Sequence, residues 1–105
     1  MDEMNRREEG FERAFSFEEE IRFKARARRN RKLGAWAGEA LGLTGQALQD
    51  YATALVDRGL VVTDDEALAA ELAEALKPRD ISLHRVRRHM ATFAAEAMAE
   101  IQAGR

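Results

Sequence analysis

Four stretches of this 105-residue chain repeat apolar residues every third or fourth position, and that spacing fixes an all-helical fold class. Leu48, Tyr51, Ala52, Leu55 and Val56 form one stripe, and Leu68, Leu72 and Leu76 a second. Leu83, Val86, Met90, Phe93, Ala97 and Ile101 form a third. Ahead of them, Leu33, Trp36, Ala37 and Ala40 share one helix face, rotated by roughly 110° from a weaker set of Phe17, Ile21 and Ala25. Leu60-Val61-Val62 is too short to force a sheet, because no second strand is available to pair with it.

Local signals divide these stripes into elements. Ser16-Phe17-Glu18-Glu19 has the form of a capping box, which predicts a first helix from about Phe17 to Leu41, stopped by Gly42. Thr44 caps a second helix through Arg58, closed by Gly59. Thr63-Asp64-Asp65-Glu66 opens a third helix that ends at Lys77-Pro78. A fourth starts near Ser82 and runs to the end. The expected architecture is a small four-helix bundle over residues 16–105 with a long first helix, preceded by a flexible N-terminal arm, residues 1–15. Met1 to Gly10 offers almost nothing to bury, and only Phe11 and Phe15, four apart, hint at a helical face. Trp36 and Tyr51 sit on the inward stripes and read as core aromatics.

Charge is distributed unevenly. The formal net charge is −2, yet residues 1–20 carry eight acidic and three basic side chains. Residues 21–32 carry seven basic ones (Arg22, Lys24, Arg26, Arg28, Arg29, Arg31, Lys32) and no acid. A solvated helix face normally mixes both signs, so this run predicts an anionic partner: nucleic acid, a nucleotide phosphate or an acidic protein surface. Part of it is expected to pair locally, Glu18 with Arg22 and Glu20 with Lys24. The acidic arm and the net negative charge argue against nucleic acid, which such surfaces repel. Arg85-Val86-Arg87-Arg88-His89 reads as the polar side of the fourth helix.

Little supports catalysis. The chain has no cysteine, which excludes disulfides and thiolate chemistry. His84 and His89 are five apart, the wrong spacing for a shared metal on one helix face. Asp64-Asp65-Glu66 lacks the ligand spacing of a calcium loop, and Gly42-Leu43-Thr44-Gly45 lacks that of a phosphate-binding loop. The reading is a non-enzymatic protein with no metal and no cofactor. No signal-peptide pattern and no run near the ~20 apolar residues of a membrane span is present, which suggests a cytoplasmic protein without membrane insertion.

The run Phe11-Glu12-Arg13-Ala14-Phe15, with Phe23-Lys24, Ala27-Arg28-Arg29-Asn30, Leu33-Gly34, Trp36-Ala37, Leu41-Gly42 and Tyr51-Ala52, resembles the zeta-subunit ATPase inhibitors of alphaproteobacteria. The resemblance covers essentially the whole chain and is densest from Phe11 to Tyr51. It implies a four-helix bundle whose N-terminal arm inhibits ATP hydrolysis by F-type ATP synthase, inserting as a helix at a catalytic interface between alpha and beta subunits and reaching the gamma subunit. On that basis residues 1–18 form the inhibitory segment. The expected partner-binding residues are Phe11, Arg13, Phe15, Phe17, Arg22 and Phe23. Weak ATP or ADP binding by some members points to Lys24, Arg28 and Arg29. The expected place of action is the cytoplasmic face of the inner membrane. The alternative is a nucleotide-responsive binding module that uses the basic first helix without strong inhibition.

Overall fold

A computed structural model describes the backbone of residues 2–105 and the side chains from Phe17 onward. The fold is all-α, with four helices and a short 3-10 turn: α1 (Asp2–Ala40), α2 (Gly45–Val61), α3 (Asp65–Leu76), the turn Lys77–Arg79, and α4 (Leu83–Gln102). Helix α1 is the spine. It packs along α2 and α4, while α3 lies chiefly on α4. Its 39 residues correspond to about 58 Å of helix, close to the 63 Å long dimension of the molecule.

The first helix therefore begins at Asp2 and passes through Ser16, where the sequence suggested a cap. A hydroxyl followed by a carboxylate three residues later permits a helix start; it does not impose one. The preceding residues contain no proline and are mostly Glu, Arg, Met and Ala, which favour continuation. At the other end the stop is as expected. Gly42 adopts φ 86°, a left-handed conformation that favours glycine. Its amide donates to the Glu39 carbonyl, and the Leu43 amide donates to that of Gly38, both at 2.9 Å, which satisfies the last turn.

Two further boundaries move. Helix α2 does not stop at Gly59 but continues to Val61, so Leu60 and Val61 are helical. Gly59 is buried inside the helix because Asn30 of α1 presses against it; a Cβ there would collide with the Asn30 amide. The glycine is a contact point between helices. Helix α3 is capped by Asp64, whose carboxylate accepts from the Glu66 amide at 3.4 Å. Thr63, one residue earlier, instead offers its carbonyl to Arg26. Thr44 holds the N-cap position of α2 without using its hydroxyl. Ser82 caps α4 as expected, accepting from the Arg85 amide at 3.2 Å.

The core is small and built from the anticipated stripes. Leu33 and Ala37 of α1 meet Leu68, Ala69, Leu72 and Leu76 of α3, Ile81, and Val86 and Met90 of α4. Trp36, Tyr51, Leu55 and Phe93 pack around this cluster, each partly buried. Helices α1 and α2 approach closely because Gly34 faces Ala52; a Cβ on Gly34 would lie 2.8 Å from the Ala52 Cα. Small residues thus exchange burial energy per residue for close backbone contact.

Candidate partner-binding segment on the first helix

The core reaches only as far back along α1 as Arg29 and Asn30. Residues 25–28 are half-buried at the edge of the bundle, and before them the helix runs out of it, with Arg22 and Phe23 at the junction. Residues 17–20 are exposed, Phe17 at 62% and Phe23 at 59% of their surface, and Arg22 is exposed beside them. Large aromatic rings on a charged helix are costly to leave in water, at about 25 cal/mol per Å² of apolar surface. Phe23 also borders an apolar cleft of about 160 Å³ lined by Arg26, Ala27, Asn30, Val56, Gly59, Leu60 and Thr63. Leu60, 56% exposed, and Val61, 74% exposed, extend the apolar surface on the α2 side. Of the residues anticipated for partner contact, Phe17, Arg22 and Phe23 lie on this projecting stretch. Phe11, Arg13 and Phe15 lie outside the residues whose side chains are described.

The basic run behaves differently from its appearance in the sequence. Five of its seven cations are engaged within the chain: Lys24, Arg26, Arg28, Arg29 and Lys32. Arg29 is buried, and its guanidinium donates to both Asp65 carboxylate oxygens at 2.9 Å. Arg29 Nε and Nη2 also donate to the Asn30 side-chain carbonyl, at 3.1 and 3.0 Å. Arg26 reaches the same Asp65 at 3.2 Å and the Thr63 carbonyl. This double fork holds the start of α3 against α1, and the Arg29 guanidinium keeps the Asp65 carboxyl below the usual range.

A second clamp closes the far end of α4. Arg28 meets Glu100 at 3.4 Å and donates to the Arg105 carbonyl at 2.9 Å. Lys32 meets Glu100 at 2.7 Å and Glu96 at 3.6 Å. The Arg28/Lys32 pair, four apart on α1, faces Glu96/Glu100, four apart on α4. Hydrogen bonding to Glu100 raises the Lys32 pKa, and hydrogen bonding to Lys32 lowers that of Glu100. The expected Glu20–Lys24 pair forms at 3.1 Å. Among the described ion pairs Arg22 and Glu18 do not meet.

The three residues proposed for nucleotide contact are consequently dispersed. Lys24 is exposed beside Glu20, Arg28 points to α4, and Arg29 is inside against α3. The structure does not bring them to one cleft. The anion that the basic run called for is supplied largely by the chain itself, through Asp65, Glu96 and Glu100. Those acids were missed because they lie more than thirty residues away; the matching four-residue spacing of 28/32 and 96/100 was the available signal.

Among the described residues no group of three His, Cys, Asp or Glu could hold a metal ion. Among these residues, too, no helix is long and apolar enough to cross a membrane. Neither a curated protein nor a solved structure matches the chain. A family model, ATPase inhibitor subunit zeta, matches residues 1–100, and the chain belongs to that family.

Proposed function

We propose that this protein inhibits ATP hydrolysis by F-type ATP synthase by inserting the N-terminal part of α1 at a catalytic interface between alpha and beta subunits, with its tip reaching gamma. The observation that carries the reading is the length of α1 beyond the core, with aromatic side chains exposed at Phe17 and Phe23. Six residues apart, the two rings lie roughly 120° from each other around the helix, which suits a segment enclosed by a partner on more than one side. Inhibition of this kind requires no chemistry of the inhibitor; it needs only tighter binding to one conformation of the interface than to the others. The bundle then acts as a stop that limits insertion, and its own stability is secured by the Asp65 and Glu100 clamps.

In this scheme the inhibitory segment is residues 1–18, Phe11, Arg13 and Phe15 are its contacts, and Phe17, Arg22 and Phe23 continue the contact toward the bundle. The site of action is the cytoplasmic face of the inner membrane, where the synthase sits. The test is ATP hydrolysis by the cognate enzyme titrated with wild type and with a Phe17→Ala/Phe23→Ala variant. Removing two apolar anchors is expected to weaken inhibition about tenfold or more, while the melting temperature shifts by no more than a few degrees because both rings are mostly exposed. Equal inhibition by the variant would overturn the assignment of these residues.

A further inference from the structure

On α4 a cationic patch takes no part in the described ion pairs. Arg85, Arg88, His89 and Thr92 follow the i, i+3, i+4, i+7 pattern on α4 and line a cleft of about 280 Å³. Among the described ion pairs neither Arg85 nor Arg88 takes part, whereas their neighbour Arg87 pairs with Glu66. The nearest acids further along this helix, Glu96 and Glu100, are held by Lys32. His89 is fixed in place by stacking on Trp36, with ring centroids 4.0 Å apart and planes 22° from parallel, and by Phe93 at 5.7 Å. The imidazole thus lines the cleft from a rigid aromatic seat, beside two exposed arginines. Burial, aided by the positive field of Arg85 and Arg88, lowers the His89 pKa.

We infer that this face of α4 is a binding site for a condensed phosphate, the pyrophosphoryl group as a free anion or as the tail of a larger molecule. Two guanidinium forks, an imidazole and a hydroxyl offer more donors than one carboxylate can accept, while a phosphoryl group has three acceptor oxygens and carries more than one charge. The four side chains are spread over about 10 Å of helix, a span suited to two linked phosphoryl groups rather than one. The site is separate from the projecting part of α1, so it does not rest on the inhibitory reading.

The experiment titrates the full chain with sodium pyrophosphate, monophosphate, ATP and adenosine, following backbone amides, the His89 ring protons and Trp36 fluorescence at fixed ionic strength. Saturable shifts confined to residues 85–92 and Trp36 are expected with pyrophosphate. Monophosphate should bind about tenfold more weakly, and adenosine not at all. ATP binding as well as pyrophosphate would identify the phosphate tail as the recognised part. ATP binding more than tenfold tighter would show that the base contributes, and would overturn a site built for phosphate alone. Arg85→Gln/Arg88→Gln should lose at least about tenfold in pyrophosphate affinity, whereas Arg31→Gln, an exposed cation elsewhere, should lose none. Uniform shifts across all basic residues, no saturation, or equal loss with Arg31→Gln would refute the site.

Discussion

Replacing Asp65 with Asn isolates the contact that joins α1 to α3. The substitution keeps the side-chain shape and one carbonyl acceptor, but it removes the charge and turns an amide N–H₂ toward the Arg29 guanidinium. Arg29 has only 8% of its side chain exposed, while Asp65 has 53%. Leaving one member of a buried pair uncompensated costs about 3–5 kcal/mol, and breaking a surface pair about 0–1 kcal/mol. With one partner inside and the other half in water, the loss should fall between these, about 2 kcal/mol. For a chain of this size that lowers the melting temperature by about 10 °C. Urea unfolding followed by circular dichroism and Trp36 fluorescence measures it directly. Because the native Asp65 pKa is depressed, its contribution is present above the unfolded carboxyl value of 3.8 and fades as pH falls through the lower native value. Wild type and Asp65→Asn should therefore differ most near neutral pH and converge in acid. A difference below about 0.5 kcal/mol at pH 7, or one that does not shrink in acid, would refute the clamp.

Gly34→Ala should destabilise the protein by about 1–3 kcal/mol despite the gain of about 1 kcal/mol in helix propensity, since its Cβ would meet the Ala52 backbone; thermal unfolding decides which term wins. Gly59→Ala should likewise destabilise and should shift the Asn30 and Arg29 side-chain resonances, because the new methyl displaces the Asn30 amide; unchanged resonances would argue against that contact. The lowered His89 pKa means that the unfolded chain takes up a proton before the native one as pH falls through 6.5. Stability should therefore decline over that range, and His89→Asn should flatten the decline in pH-dependent urea unfolding.

The apolar stripes made the fold readable before any coordinates. Leu33, Leu68, Leu72, Leu76, Val86 and Met90 all lie in the core that the spacing predicts. What spacing does not reveal is which of several legal start and stop signals the folded chain uses. Ser16 could cap a helix, but nothing upstream of it breaks one. Gly59 could end α2, yet it serves better as the gap into which Asn30 fits. The basic run was legible as charge seeking an anion, and opaque as to where the anion lay, because Asp65 and Glu100 reach Arg29 and Lys32 only after the helices have assembled. The opposite cue, an apolar set of Phe17, Ile21 and Ala25 rotated away from the core stripe, holds only in part: Phe17 is exposed, Ile21 and Ala25 are half-buried, and the second exposed ring, Phe23, lies outside that set.

The account separates the cations that hold the bundle from the helical segment that engages the synthase. Its most direct test is ATP hydrolysis by the cognate enzyme, titrated with the full chain and with a chain lacking residues 1–15, alongside thermal unfolding of both. The account predicts that the shortened chain melts within a few degrees of the full one, because the core begins at Arg29, and that it no longer inhibits. Full inhibition by the shortened, folded chain would contradict it.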